Sequence, residues 1–133
     1  MHWVTKYLGK RWEPGARGPD SFDCWGLVYD FYKRYLGVSL PLYLVLPSDL
    51  RKVSETAENE IEGDMWTRVD EPEAFDVVGL GKKSIIHHVG LFLENDGGLI
   101  LHVGNGIPAK AESLNDIKKQ YKRIEFYRHA CNR

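Results

Sequence analysis

Residues 87–104, HHVGLFLENDGGLILHVG, constrain the fold more tightly than any other stretch. Two apolar runs flank NDGG, and such a turn between alternating hydrophobics specifies a β-hairpin. Similar short β-like runs cover 65–69, 75–80, 86–94 and 98–103, and RIEFYR reads as a closing strand. Upstream the period changes. From Phe22 onward, Cys24, Leu27, Val28, Phe31 and Tyr35 recur at spacings of three and four, which makes one apolar helix face. Asp23 is placed to cap that helix and Gly37 to stop it. After the proline-punctuated LPLYLVLPSDL, Ser48 or Asp49 opens a second expected helix. Leu50, Val53, Ala57 and Ile61 form its buried side, and its glutamates form a solvated one. Ser113 opens a short basic helix whose Lys118, Lys119, Lys122 and Arg123 read as a solvated face. Helices first and a mostly antiparallel sheet afterwards is an α+β layout.

A chain of 133 residues is read as one domain, 1–133, and its 43% hydrophobic and 12% aromatic residues can build a core unaided by disulfides or metal. The 18 basic and 19 acidic side chains nearly cancel, so charge offers no case for nucleic acid or an anionic membrane surface. The start, MHWVTKYLGKRW, lacks the apolar core of a secretory signal, and no stretch approaches the roughly 20 apolar residues that span a bilayer. The expectation is a product made in the cytoplasm. Its two cysteines, Cys24 and Cys131, are expected as free thiols. No CxxC, HExxH or repeated Cys/His spacing argues for zinc, and no cofactor is expected.

The chemistry centres on Cys24. A cysteine in the first turn of a helix feels that end's partial positive charge, which favours the thiolate. Thiol attack on an amide also needs a base and a group to orient it, drawn from His2, His87, His88, His102 and His129. In a strand, His88 alternates with Gly90 and Phe92, and His87 with Val89, Leu91 and Leu93. A hairpin loop of three or five residues puts His102 on the face of His88, and an even loop without a bulge puts it on the face of His87. Cys24, His88 and His102 therefore make a coherent triad if the loop is odd.

The segments GKRWEPGARGPDSFDCWGLV and HVGLFLENDGGLILHVG resemble the NlpC family of papain-like cell-wall cysteine peptidases. The style GP-x-x-FDCWGLV, then LP-x-Y, then a closing FYR, is similar to the branch found in tail-assembly proteins of long-tailed phages. The resemblance implies a papain-like NlpC fold with Cys24 as nucleophile, His88 as general base and acid, and His102 as the residue that orients the imidazole. It implies a substrate-facing Asp23, although an N-cap role accounts for that residue equally well. Trp12 falls where many members have a cleft-lining tyrosine, and Trp25 where wall enzymes commonly have serine, so both are candidate substrate contacts, although core or rim packing accounts for them equally well. Asp76 matches an aspartate that starts a core strand and reads as structural. The implied partners are a peptidoglycan stem peptide, typically cut between D-γ-glutamate and diaminopimelate, and other phage tail-tip proteins.

Overall fold

The computed structural model describes residues 3–40, 66–83 and 85–132. The helix expected from residue 48 onward, Pro41, Tyr43 and His2 lie outside the described residues.

The described elements run β1 (Arg11–Trp12), β2 (Ser21–Phe22), α1 (Cys24–Tyr35), β3 (Trp66–Val69), β4 (Val77–Lys82), β5 (Ile85–Leu93), β6 (Leu99–Gly104), β7 (Ile107–Ser113), α2 (Leu114–Gln120) and β8 (Arg123–His129). Six strands form one sheet in the order β3-β8-β4-β5-β6-β7, with every neighbouring pair antiparallel. β1 and β2 pair in parallel as a separate short ladder, Trp12 beside Phe22. The α+β expectation holds, and the strands at 66–69, 77–82, 85–93, 99–104 and 123–129 fall within two residues or so of their sequence positions.

Helix α1 starts and stops where its capping residues dictate. The Asp23 carboxylate accepts the Gly26 N–H, and at the other end Gly37 takes a φ of +68°. That left-handed turn lets the Val38 and Leu36 N–H groups close on the Tyr32 carbonyl at 3.0 and 3.1 Å. The buried arc of the helix is wider than its strict spacing suggests and takes in Trp25, Leu27, Val28, Phe31 and Tyr32. It packs on one face of the sheet, against Val77, Val89, Leu91, Leu93, Leu101 and Val103. The alternate residues Val78, Leu80, Phe92 and Ile100 point to the other face, where Ile117 of α2 covers them. Burial on both faces explains why the central strands read as almost continuous apolar runs.

The closing strand is locked by charge as well as by packing. Asp76 is fully buried, and it accepts hydrogen bonds from Arg128 Nε and Nη2 at 3.1 and 2.9 Å and from the Glu73 N–H at 2.8 Å. The aspartate before β4 and the arginine of FYR are thus one structural pair, as the sequence reading of Asp76 expects. His129 is buried edge-on to Trp66 and Tyr32, and its Nδ1 accepts the Cys131 N–H. Arg123 departs from the expected solvated basic face: it lies in β8, paired with Glu125.

Candidate active site

The hairpin that carries both histidines has a five-residue connection, 94–98, with Leu91 opposite Leu101 and Leu93 opposite Leu99. That odd loop puts His88 and His102 in the same alternation, with Gly90 opposite His102. The ladder spans 91–93 and 99–101, and the two histidines lie just beyond it. Their rings meet edge to face, with His88 Nε2 2.8 Å from His102 Nδ1. Both are buried. Gly90 makes this approach possible, because a Cβ there would lie 2.8 Å from Ile100 Cγ2, 2.9 Å from the Leu101 oxygen and 3.2 Å from His102 Cβ. The glycine of HVG is the notch into which the second histidine leans.

Strict alternation fails at His87. Leu80 pairs with His88 but Gly81 with Ile86, so His87 is the extra residue of a β-bulge. Its ring turns toward the same neighbour as that of His88: Tyr121, just past α2, is stacked on His88 at 6.0 Å and 6.1 Å from His87. Tyr121 is half-buried, and its ring lies nearly parallel to that of His88. Nothing in the basic stretch around it singles it out in the sequence.

Cys24 reaches the sheet from α1. Its sulfur faces the N–H of Val89, next to His88, together with the N–H groups of Trp25 and of Cys24 itself. Part of the residue remains open to solvent, yet protein surrounds the thiol closely. Burial, and after it the Asp23 charge, push the thiol up to about 11 against the pull of those N–H groups. The helix end therefore does not yield a resting thiolate, contrary to the sequence expectation: desolvation outweighs the dipole. Burial, the neighbouring His102 and His87 in turn push His88 down to about 3, so its imidazole is neutral at physiological pH. The thiol and the His88 imidazole are thus both neutral at rest. In a Cys131→Ser variant, alkylation of Cys24 by iodoacetamide should accelerate about tenfold per pH unit above neutrality, without levelling off before pH about 11. A plateau near pH about 7 would show an ion pair in the resting enzyme instead.

The sequence left Asp23 divided between cap and substrate contact, and the structure assigns it to the scaffold. It is buried, and its two oxygens accept Gly26 N–H at 2.5 Å, Gly15 N–H at 3.0 Å and Arg17 Nη1 at 2.8 Å. The loop before the helix is thereby drawn onto the first turn. Gly26 completes the arrangement, since a Cβ would fall 2.0 Å from the Ala16 oxygen. Of the two readings of Trp25, the structure shows packing. It is 6% exposed and lies in the core, because its position shares the buried arc with Val28 and Tyr32. Trp12 is half-buried on β1, paired with Phe22, the residue that precedes Asp23, and packs against the core.

One neighbour of the histidines was not legible in advance. His102 Nε2 lies 2.6 Å from Glu112 Oε2 on β7. Gln120 of α2 donates to Glu112 Oε1 at 3.0 Å, and Lys110 Nζ is 3.4 Å from the same oxygen. The strand that carries Glu112, IPAKAES, has weak alternation and a proline, so its pairing shows only in three dimensions.

Residues 9–126 match the NlpC/P60 family model. The chain belongs to the NlpC/P60 family. It is accordingly a cysteine peptidase/amidase domain of the cell-wall hydrolase type. No curated protein sequence matches it. Among solved structures it is similar to the NlpC/P60 domain of the peptidoglycan hydrolase SagA, at 20% identity and a TM-score of 0.63 over 92% of this chain and 91% of that one. It is also similar to NlpC2 from Trichomonas vaginalis, at 20% identity and a TM-score of 0.68, over 96% of this chain but 44% of that one. An NLP/P60-family, lipoprotein-like protein from Staphylococcus aureus aligns at 22% identity and a TM-score of 0.59, over 94% and 39% of the two chains. At these identities the likeness shows the NlpC/P60 fold.

Proposed function

We propose that this NlpC/P60 domain hydrolyses peptidoglycan stem peptides at the D-γ-glutamyl–diaminopimelate bond, with Cys24 as nucleophile, His88 as base and acid, and His102 as the orienting residue. The observation that carries the reading is the joined pair His88–His102 at 2.8 Å, next to the backbone N–H that the Cys24 sulfur faces. With both partners neutral at rest, the proton leaves sulfur as sulfur attacks, and His88 Nδ1, the nitrogen turned away from His102, receives it. The tetrahedral oxyanion forms beside N–H groups of the first helical turn. The imidazolium then protonates the leaving amine, and water, deprotonated by the same nitrogen, releases the acyl group from sulfur. In this reading Trp12, half-buried beside Phe22, lines the stem peptide.

The setting we propose is a phage or phage-like tail, where such a domain opens the wall locally for genome delivery alongside other tail-tip proteins. What supports it is the sequence style of GP-x-x-FDCWGLV, LP-x-Y and FYR. Incubation with purified peptidoglycan and mass analysis of the released material tests the activity and the bond together. The expected products are fragments ending in D-glutamate and fragments with a new free amine on diaminopimelate. A folded protein that leaves peptidoglycan intact would overturn the hydrolase and leave a structural tail component. Release at another bond would overturn the specificity alone.

A further inference from the structure

The base side of the site does not end at His102. From α1 outward to the sheet edge, the polar contacts run His88 Nε2 to His102 Nδ1 at 2.8 Å, then His102 Nε2 to Glu112 Oε2 at 2.6 Å. Each histidine has two ring nitrogens, and in a neutral ring one donates while the other accepts. Left to themselves, two facing imidazoles have two self-consistent arrangements. In one, His88 carries its proton on Nε2 and offers a lone pair at Nδ1. In the other, His88 carries the proton on Nδ1 and has nothing with which to accept one from sulfur.

A carboxylate at the far end removes this ambiguity. An ionised glutamate can only accept, so His102 Nε2 must carry the proton, and the neutral His102 then accepts at Nδ1. His88 Nε2 must therefore donate, and its lone pair stands on Nδ1. We propose that Glu112 is a positioning residue for the reaction: it fixes the tautomers of His102 and, through it, of His88, and it supplies the negative charge that balances the imidazolium formed when Cys24 attacks.

The surroundings fit this role. The His102 side chain is 0% exposed and that of Glu112 15%, so the contact is shielded from water while the carboxylate remains ionisable. Burial raises the Glu112 carboxyl, but hydrogen bonds from Gln120 and His102 and the charges of His102 and Lys110 more than reverse this, and the group ionises below its ordinary range. Burial holds His102 neutral against the pull of Glu112. Gln120 of α2 and Lys110 of β7 fasten Oε1, which leaves Oε2 for the imidazole. Besides His102, the ring packed on His88 among the described residues is that of Tyr121, which brings no carboxylate. Glu112 is thus the acid within reach through the pair, and a charge that appears on His88 has it as counterpart.

The proposal rests on the hydrolase reading, and its test separates the two. Ring-nitrogen NMR shifts of histidine report which nitrogen bears the proton without any turnover. In the intact protein, His88 is expected protonated at Nε2 and bare at Nδ1, and His102 likewise. Glu112→Gln keeps an acceptor for His102 Nε2 and should keep those tautomers, with kcat on a stem-peptide substrate down about tenfold for want of the charge. Glu112→Ala should scramble the tautomers and lower kcat about 100-fold, with KM within about twofold in both variants. Glutamine, close in shape, guards against a result that reflects misfolding of the alanine variant, and thermal melting of both checks it. Glu112→Ala with native ring-nitrogen shifts and native kcat would overturn the proposal. So would His88 protonated at Nδ1 in the unaltered protein, or losses that fall on KM alone. If the unaltered protein cleaves no peptidoglycan yet shows the expected tautomers that scramble only in Glu112→Ala, the hydrolase reading fails and the tautomer relay stands.

Discussion

Cys24→Ala and His88→Ala should each abolish peptidoglycan hydrolysis, with a loss of at least about 10³-fold, and combining them should cost no more than either alone. Residues that act as one unit lose the whole effect at the first removal, so non-additivity is the signature that separates a shared proton transfer from two independent contributions. The fold should survive both changes. Cys24 loses only a sulfur atom at the helix start, and the cap there is made by the Asp23 carboxylate and the Gly26 N–H, not by the thiol. His88 is the riskier replacement, because it leaves His102 Nδ1 without its imidazole partner. Burying one unsatisfied group costs about 1–3 kcal/mol, which a melting curve resolves from global unfolding. Hydrolysis that persists in Cys24→Ala would remove sulfur from the mechanism altogether.

Asp23→Ala should produce the largest loss of stability, about 3 kcal/mol, because it removes a helix cap and takes the carboxylate from a partly buried guanidinium. The two effects have one origin. A single carboxylate holds Gly26 N–H, Gly15 N–H and Arg17 Nη1, and the Arg17 side chain is only 18% exposed. For a chain of this size such a loss lowers Tm by about 10 °C. Asp23→Asn retains an oxygen acceptor and should lose roughly half as much. Thermal or urea unfolding of the two variants decides the matter. If Asp23→Ala melts like the unaltered protein while KM for a stem peptide rises several-fold, Asp23 faces substrate and the clamp is unimportant.

What could be read from the chain, and what could not, follows from the range of each interaction. Helix α1 and its ends were legible because capping and periodicity are local: Asp23 and Gly37 act within a few residues of themselves. The parity of His88 and His102 was legible as a conditional statement, since the turn between them sets the register, and the five-residue loop settles the condition. The bulge at His87 was not legible, because it is forced by how β4 meets β5 and not by β5 alone. Glu112 and Tyr121 come from the edge strand and the turn after α2, and only sheet order brings them to the histidines. The neutral state of Cys24 was misjudged for a related reason. A helix dipole is visible in sequence, whereas the depth of surrounding protein is not. The sequence leaves Trp25 between substrate contact and packing, because it stands where wall enzymes commonly have serine. One residue along a helix is a turn of about 100°, and that turn carries it into the core.

The helix-on-sheet arrangement has a further consequence. The proposed nucleophile and its clamp come from residues 11–35, and the proposed base and its supports from residues 85–121. The sulfur meets the Val89 N–H where the interlocked apolar faces of α1 and the sheet are in register. A loosened chain with native helix and strand content and slack side-chain packing would hold every part of the catalyst and catalyse nothing. Turnover in this domain is therefore a gauge of tertiary docking, sensitive to loosening that backbone spectroscopy passes over.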